Sequence, residues 1–417
     1  MLKTAEFVIK HINDNVTRLI LEKGKWPEID MDLAVNSIES RRKLRGKVNE
    51  WYDNPHLIFP ARLSAEQCSS SATGRYKAEL AERIINETCD ADRPWSLADF
   101  TGGLGVDSWF FSRKAENVLY CEMQKPLCEA AVHNFKSLKA DNIAVKECKV
   151  GKTSEDGCTS IPELLGDFHA DIVYMDPARR GEGGKKVFLI EDCTPDVLTL
   201  KDDIFKSCRH ILLKLSPMAD ITMACSRLGN TCREVHTVAT GGECKELLIW
   251  MDREWNGDYS VTAVEIHNDS APATFTFCPC DEKEAIPLSS DGMPDGYLFE
   301  PGKSLMKSGA FNLISSRFGI FKLGHSTHYY TTADIAKVEP LKQFGKIFRI
   351  IRCEPLNKKS IRCAGSEFPK ADVTARNIPM DSDTLRKKLG VTSGQDIHIF
   401  GLKSDTKGNI LLITHRL

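Results

Sequence analysis

A glycine-rich turn between a predicted strand and a predicted helix is the clearest chemical signal in the sequence. It runs from Asp99 to Asp107 and reads Asp-Phe-Thr-Gly-Gly-Leu-Gly-Val-Asp. Small residues let the chain turn sharply and bring backbone N–H groups against a ligand. The next predicted strand ends in Glu122, whose carboxylate can accept both hydroxyls of a ribose. We therefore predict a cofactor site formed by Asp99, Thr101, Gly102, Gly103, Gly105, Asp107, Glu122 and Met123.

Two classes of cofactor share this strand–turn–helix arrangement. A dinucleotide needs Gly-x-Gly-x-x-Gly, which residues 103–108 nearly satisfy. Asp107 would then place a carboxylate in the first turn of the helix, where a pyrophosphate should bind. S-adenosylmethionine carries no phosphate, and its amino and sulfonium groups are cationic. A turn flanked by Asp99 and Asp107 therefore favours S-adenosylmethionine over a dinucleotide, and a turn that binds nothing is the third interpretation.

A second group of candidate residues follows the fourth predicted strand, at the sheet edge where open α/β sheets bind ligands. Asp176 and nearby carbonyls can accept hydrogen bonds from an exocyclic amine and direct its nitrogen towards a methyl sulfonium. Such a transfer is an in-line displacement, so alignment matters more than strong acid–base groups. We predict the catalytic set Asp176, Pro177, Ala178 and Arg179, with Asp176 also beside the cofactor. Arg179 or Arg180 can contact a phosphate; the alternative is an Asp-Pro turn without function.

Alternating strands and helices must position both groups. Helical patterns separate the first five predicted strands, which indicates a parallel sheet. The last two are joined by a short hairpin-like link, which indicates one antiparallel strand near the edge. We expect an α/β fold with a Rossmann-like seven-stranded sheet, mostly parallel. The predicted strands are Ser96–Phe100, Asn117–Cys121, Ile143–Glu147, Asp171–Met175, His210–Leu215, Glu234–Ala239 and Lys245–Met251.

The regions on either side of this sheet differ from it in pattern. Residues 1–90 show apolar residues at helical spacing and are predicted to form an N-terminal helical domain. The sheet domain is assigned to residues 91–256. Residues 257–417 combine short strands with helices, including one predicted at Gly302–Leu313, and are predicted to form an α+β appendage. We expect that appendage to divide into units at 257–325 and 326–417.

Composition excludes several classes of protein. The chain has 417 residues, a net charge of −2 and no apolar run of about 18 residues. Fifteen cysteines, an odd number, and no recognisable signal peptide indicate reduced thiols and a cytoplasmic location. The pair Cys278 and Cys280 lacks a companion pair, so no metal site is predicted.

Positive charge is concentrated in two places. The stretch from Lys303 to Cys363 holds twelve lysines and arginines against three acids, and a second cluster spans Arg41–Lys47. Clusters on both flanks of the sheet domain favour RNA as a partner. The alternative is that each cluster is a solvated surface.

The two motifs resemble those of class I methyltransferases that modify RNA bases. Asp-Pro-Ala-Arg-Arg-Gly at 176–181 is similar to the Asp-Pro-Pro-Arg-x-Gly of uracil-C5 RNA methyltransferases. Thr-Gly-Gly-Leu-Gly at 101–105 is similar to the Thr-Ala-Gly-Leu-Gly of a guanine-N2 rRNA methyltransferase family. The whole layout, with Gln-Cys-Ser-Ser at 67–70 and Val-Thr-Ala-Arg-Asn-Ile-Pro at 373–379, resembles uncharacterised bacterial methyltransferases with a THUMP-like C-terminal domain.

The sequence differs from these families at two places that affect the expected type of methyl transfer and the expected cofactor contacts. Uracil-C5 enzymes need a cysteine after the fifth strand, because a thiolate must add to the ring. This chain has Leu-Lys-Leu-Ser-Pro-Met at 213–218, which favours N-methylation. The acid that usually follows the third strand and binds the adenine amine is also missing, since 147–150 reads Glu-Cys-Lys-Val.

Three functions follow from this reading. The first is an S-adenosylmethionine-dependent methyltransferase that N-methylates a base in rRNA or tRNA, with the basic flanks holding the RNA. The second is a methyltransferase that acts on a protein or a small molecule. The third is a non-catalytic RNA-binding protein with a degenerate pocket.

Overall fold

The computed structural model describes residues 1–89, 93–152, 157–179, 190–267, 270–394 and 396–417. These residues form two compact units. The first unit contains residues 1–235 and 246–258, and the second contains residues 236–245 and 259–417. Within the described part of the chain, no helix is both long and apolar enough to cross a membrane.

The first unit begins with a helical region, as the apolar spacing predicted. Side-chain caps set its boundaries: Asn15 and Asp30 each accept a backbone N–H of the helix that follows, and Ser70 forms a capping box with Thr73. The helices are α1 Leu2–Lys10, α2 Val16–Leu21, α3 Met31–Leu44, α4 Asn49–Tyr52, α5 Arg62–Gln67 and α6 Ser71–Thr88, with a 3₁₀ turn at Lys23–Lys25.

The predicted alternation of strands and helices follows. The strands are β1 Ser96–Asp99, β2 Asn117–Glu122, β3 Ile143–Glu147, β4 Ile172–Met175, β5 Ala178–Arg179, β6 Cys193–Thr194, β7 His210–Leu215, β8 Cys232–Thr240 and β9 Glu243–Asp252. The helices are α7 Val106–Phe111, α8 Lys125–Ser137, α9 Ile161–Leu165, α10 Val197–Ser207 and α11 Ile221–Leu228, with a 3₁₀ turn at Ile190–Asp192.

The strand order confirms the predicted fold class. The sheet has nine strands, two more than predicted, and seven of them lie side by side in the order β8, β9, β7, β4, β1, β2, β3. Strands β3, β2, β1, β4 and β7 are parallel, and β9 is antiparallel to β7. Because the chain builds outwards from β1 in both directions, the order reverses between β1 and β4. That reversal is where open α/β sheets bind ligands.

The second unit is also α+β, as predicted. Its strands are β10 Ser260–Ile266, β11 Ala273–Phe277, β12 Tyr297–Pro301, β13 Phe321–Lys322, β14 Tyr330–Thr332, β15 Gly345–Pro355, β16 Asp372–Arg376, β17 Ile397–Ser404 and β18 Gly408–Arg416. Its helices are α12 Pro279–Glu284, α13 Lys303–Ser308, α14 Phe311–Phe318, α15 Val338–Lys342, α16 Lys358–Glu367 and α17 Ser382–Leu389, with a 3₁₀ turn at Ile335–Lys337.

Seven strands of this unit form one sheet in the order β13, β14, β12, β15, β18, β17, β16. Buried residues cover both faces. Phe348, Phe400 and Leu412 belong to one apolar cluster, while Ile399 and Ile413 pack with α16 and α17 residues in another. The single helix predicted at Gly302–Leu313 is instead two helices. Gly309 has a φ of 83°, and this left-handed conformation ends α13 before α14 begins.

The basic cluster at Arg41–Lys47 is largely structural. The Arg41 side chain is almost fully buried, and its guanidinium donates to the carbonyls of Tyr52, Asn54 and Leu57. Burial lowers the pKa of Arg41 to about 10. Arg42 and Lys47 also donate to backbone carbonyls. These three cations therefore hold the helical region together, and we do not assign them to RNA.

Candidate functional site

A cavity of about 390 Å³ lies at the carboxyl edge of the first unit's sheet, where the strand order reverses. The turn after β1, the end of β2 and the segment after β4 all line it. Among the predicted site residues, Asp99, Thr101, Gly102, Gly103, Gly105, Asp107, Glu122, Met123, Asp176 and Ala178 line this single cavity. Parallel strands bring their carboxyl ends to one edge, which is why residues so distant in sequence meet here.

Steric constraints explain the glycines of the turn. A Cβ placed on Gly102 would lie 2.2 Å from the ring of Tyr120, so no side chain fits there. Gly105 has a φ of 91° and forms the N-cap of α7. The Tyr120 hydroxyl donates to the carbonyl of Gly103 at 2.6 Å. Strand β2 therefore fixes the shape of the turn and keeps its backbone open to the cavity.

Glu122 is nearly buried and is held by backbone groups. Its Oε2 accepts the N–H of Gly103 at 2.9 Å, and its Oε1 accepts the N–H of Gln124 at 2.8 Å. A carboxylate offers about four lone-pair sites, so each oxygen keeps capacity for another donor. The carboxylate is thus fixed in position and can still accept two ligand hydroxyls. Met123, which exposes 58% of its surface, lies beside it.

Asp99 is buried at the end of β1. Its carboxylate accepts the N–H of Thr101 at 2.9 Å and the hydroxyl of Ser108 at 2.6 Å. Burial raises the pKa of Asp99 to about 7, although these two hydrogen bonds act in the opposite direction and the nearby Asp107 and Asp176 add to the rise.

The turn and the segment after β4 are joined directly. Thr101 Oγ1 accepts the backbone N–H of Asp176 at 2.6 Å. The carboxylate of Asp176 forms an ion pair with Lys214 of β7, and 38% of the Asp176 side chain is exposed. Lys214 is itself mostly buried. Asp176 is therefore held by its backbone and its carboxylate, yet presents an accessible edge.

Behind Asp176 lies a set of buried ionisable side chains, Lys77, Asp107, Lys214 and Glu246, which we call the buried charge network. The Lys77 ammonium lies 2.9 Å from Glu246 Oε1 and 3.3 Å from Asp107 Oδ1, and its side chain has no exposed surface. Burial favours the neutral amine of Lys214, but Asp176, Glu246 and Asp107 together raise its pKa above the ordinary lysine value.

The carboxylate of Asp107 was predicted to face the cofactor, but it is also bound by side chains of the protein. Its Oδ2 accepts the hydroxyls of Ser69 at 2.9 Å and Tyr174 at 2.8 Å. Burial opposes its ionisation, yet Lys77 and Lys214 hold the pKa of Asp107 below the ordinary value. Asp107 lines the cavity, but its charge is already compensated by the network. Its contact with a cofactor stays a prediction.

The remaining predicted residues lie around Asp176. Pro177 is buried, and Ala178 is exposed in β5. The backbone of Arg179 pairs with Cys193 of β6. The Arg179 side chain and Arg180 lie outside the described residues.

Several residues at the site were not predicted from the sequence. Lys77, Lys214 and Glu246 form the network, and Ser64, Gln67, Cys68, Ser69, Cys148, Lys149, Val150, Thr194 and Pro195 line the cavity. One signal was present: Lys214 is a lone charge among the leucines and isoleucine of its strand, and buried charges need partners. Cys68 is a thiol at the cavity, but burial raises its pKa to about 11, so it stays protonated near neutral pH.

Comparisons with known proteins agree with this architecture. Two family models match the second unit, a ferredoxin-like domain at residues 297–338 and a THUMP domain-like family at residues 345–416. A crystal structure of a candidate methyltransferase from Porphyromonas gingivalis W83 is similar over the full length. It has 27% sequence identity and a TM-score of 0.84, and the match covers 100% of this chain and 98% of that chain. The chain has a methyltransferase fold and a THUMP-like C-terminal domain.

A structure of the human methyltransferase 10 domain containing protein is similar to part of the chain. Its identity is 14% and its TM-score 0.34, with 53% of this chain and 96% of that chain covered. No curated protein matches the sequence.

The raised pKa of Asp99 makes stability depend on pH. The folded protein holds this proton more tightly than the unfolded chain, so the stabilising contribution is complete below pH 4 and is lost as pH rises through about 7. Relative to Asp99→Asn, the unfolding free energy of the wild type should fall by up to about 1.4 kcal/mol per pH unit across that range. Urea denaturation at several pH values measures this, and exposed Asp202→Asn is the control. Parallel profiles for wild type and Asp99→Asn would contradict the assignment.

Proposed function

We propose that this chain is an S-adenosylmethionine-dependent methyltransferase that methylates a nitrogen of a base in rRNA or tRNA. The observation that carries the proposal is the single cavity that Glu122 and Asp176 share on the two sides of the strand-order reversal. The full-length similarity to the Porphyromonas gingivalis protein supports the methyltransferase class.

The residues present fit the cofactor. The fixed carboxylate of Glu122 would hold its ribose end, whereas the N–H groups of Gly102, Gly103 and Gly105 are already donated to acceptors of the protein. Asp176 and the network hold two lysines and three carboxylates, and Glu122 adds a further carboxylate that is bound only by N–H groups. A wall with surplus negative charge attracts a sulfonium and an ammonium and repels a pyrophosphate. This charge balance is our reason for preferring S-adenosylmethionine to a dinucleotide.

The cofactor, when bound, would supply an electrophilic methyl group. The protein would contribute alignment: the ion pair with Lys214 holds the carboxylate of Asp176 in position, where it can accept a hydrogen bond from an exocyclic amine. Three strand spacings, about 14 Å, separate the position after β3, where Cys148 lies, from the position after β4, where Asp176 lies. Cys68 is a protonated thiol. Neither cysteine is therefore suited to add to a base at Asp176, which favours N-methylation over C5 chemistry.

RNA as the substrate is supported by the THUMP domain-like match and by cations of the second unit. Several of the basic residues counted in the sequence are already paired with acids, as Lys342 is with Glu339 and Lys346 with Glu300. By contrast, Lys358, Lys359 and Arg362 are exposed near the start of α16. A protein or small-molecule substrate is the alternative, and the tests below separate it from RNA.

The cofactor contact predicts a measurable loss of binding. Glu122→Gln keeps the shape of the side chain and removes its charge, so affinity for S-adenosylhomocysteine should fall by roughly 1.5–3 kcal/mol. Isothermal titration calorimetry measures this, with exposed Glu129→Gln on α8 as the control. Binding of NADH without binding of S-adenosylhomocysteine would refute the choice of cofactor.

The reaction is tested in cells and with purified variants. Nucleosides of rRNA and tRNA from a strain lacking the protein should lose one methylated species by mass spectrometry. The wild-type gene and exposed Asp202→Asn should restore it, whereas Asp176→Asn should not, because the target nitrogen loses its charged acceptor. Asp176→Asn should still bind S-adenosylhomocysteine, which separates lost chemistry from lost folding. An unchanged set of nucleosides would contradict the RNA substrate.

The start of α16 predicts how RNA affinity depends on salt. If Lys358 and Arg362 contact phosphates, Lys358→Glu with Arg362→Glu should weaken RNA binding and lower the slope of log affinity against log salt by roughly two units. The matched control is Lys342→Glu with Lys346→Glu, whose cations are already paired and should change the slope less. Fluorescence anisotropy with a transcribed tRNA measures both. Equal slopes for wild type and the α16 variant would exclude this surface.

A further inference from the structure

The chain segment that follows strand β4 is hydrogen-bonded to a side chain of the glycine-rich turn. Strands β1 and β4 pair in parallel as far as Asp99 and Tyr174, and the N–H of Phe100 still reaches the Tyr174 carbonyl at 3.0 Å. A parallel ladder would next place the N–H of Asp176 against a main-chain carbonyl. Because the chain turns away after Phe100, the hydroxyl of Thr101 accepts this N–H instead, at 2.6 Å. Thr101 therefore continues the ladder by one bond with its side chain.

The hydroxyl of Thr101 is itself oriented by Asp99, which is buried at the end of β1. Asp99 Oδ1 accepts the backbone N–H of Thr101 at 2.9 Å and its hydroxyl at 3.4 Å. A hydroxyl has one proton and two acceptor positions, so a proton donated to Asp99 leaves the lone pairs for the N–H of Asp176. The hydroxyl of Ser108 holds the other oxygen of Asp99 at 2.6 Å. The acceptor that Asp176 uses is thus fixed in position.

Asp176 is held at two separate points. Thr101 holds its backbone N–H, and Lys214 of β7 forms the ion pair with its carboxylate. The following residue, Pro177, has no N–H and restricts Asp176 to an extended backbone conformation. A carboxylate held only by Lys214 could move with its backbone, whereas the bond to Thr101 gives its exposed edge a single direction.

The bonds of Thr101 distinguish two roles for its side chain. Thr101 lines the cavity, and the sequence pattern predicts that it contacts the cofactor. Its hydroxyl already donates to Asp99 and accepts from Asp176, so the protein uses its only proton and one of its acceptor positions. These two bonds place the hydroxyl in the service of Asp176. In an in-line displacement, a misplacement of about 1 Å can cost about a hundredfold in rate.

We propose that Thr101 is a positioning residue for methyl transfer: its hydroxyl holds the main chain of Asp176 so that the carboxylate directs the target amine towards the methyl donor. The inference rests on the proposed function and deepens it, because it names what keeps Asp176 in place. It assigns the Thr101 side chain to the target and not to the cofactor. Loss of the hydroxyl should therefore change the rate of transfer and leave the affinity for the cofactor unchanged.

The test compares Thr101→Val and Thr101→Ser in the full-length protein. Valine keeps the branched shape and removes the acceptor, whereas serine keeps the acceptor and removes the methyl group. The substrates are S-adenosylmethionine with a labelled methyl group and the tRNA and rRNA of a strain lacking the protein. Thr101→Val should lower kcat by about tenfold or more. Its KM for S-adenosylmethionine and its Kd for S-adenosylhomocysteine should stay within about threefold of the wild type, and Thr101→Ser should restore kcat to within the same factor.

A second measurement follows the N–H of Asp176 directly. Its hydrogen exchange, resolved by fragmentation in a mass spectrometer, should be about tenfold faster in Thr101→Val than in the wild type or Thr101→Ser. The matched control is Thr274→Val, at an exposed position of β11, which should behave as the wild type does in every assay. Thermal melting confirms that each variant is folded. Thr101→Ala, which also lacks the acceptor, replaces Thr101→Val if the latter does not fold.

Failure of this inference differs from failure of the proposed function. A wild type that methylates neither RNA contradicts the proposed function and, with it, this inference. If the wild type does transfer methyl groups, the positioning role alone is overturned by any of four results. These are an unchanged kcat in folded Thr101→Val, a loss of S-adenosylhomocysteine affinity as large as its loss of kcat, a Thr101→Ser variant as slow as Thr101→Val, and unchanged exchange at Asp176.

Discussion

The electrostatic interactions among Lys77, Asp107, Lys214 and Glu246 are the constraint on which the first unit depends. They join α6 of the helical region to the first turn of α7 and to strands β7 and β9. Removing one member of a buried network leaves an uncompensated charge, at a cost of several kcal/mol. The helical region is therefore not an independent attachment, because it supplies Ser69 to the wall of the cavity and Lys77, which donates to Ser69, to the charges behind that wall.

The same network sets the electrostatics of the cavity. Asp176 lies at its partly exposed end, where the remaining negative charge meets solvent. The interior lysines Lys77 and Lys214 lower the pKa of Asp107, whereas burial raises the pKa of Asp99 to about 7. Asp99 and Asp107, which line one cavity, thus differ in pKa because their surroundings differ. That difference gives the site one aspartate that can change its protonation near neutral pH.

The sequence predicted the sheet and the meeting of Glu122 with Asp176, because strand periodicity and parallel connectivity determine which residues share an edge. It did not predict the network, since Lys77 and Glu246 are 169 positions apart and meet only through packing. The number of lysines and arginines in a segment also did not show which of these side chains are bound within the protein and which are exposed. Arg41 counted as basic surface, yet its guanidinium is enclosed by carbonyls. The local sequence pattern predicts the helices and strands and their order along the chain. The partners of buried charged side chains are determined by tertiary packing, which the local pattern does not contain.

The close contact between Gly102 and the ring of Tyr120 restricts the substitutions that these two positions can accept during evolution. A mutation at position 102 alone would drive a Cβ into the ring, and a smaller residue at position 120 alone would remove the hydroxyl that holds the Gly103 carbonyl. Each single step passes through a less fit intermediate, so the two positions are coupled in evolution. Among descendants of this chain we expect them to be retained as a pair or exchanged as a pair.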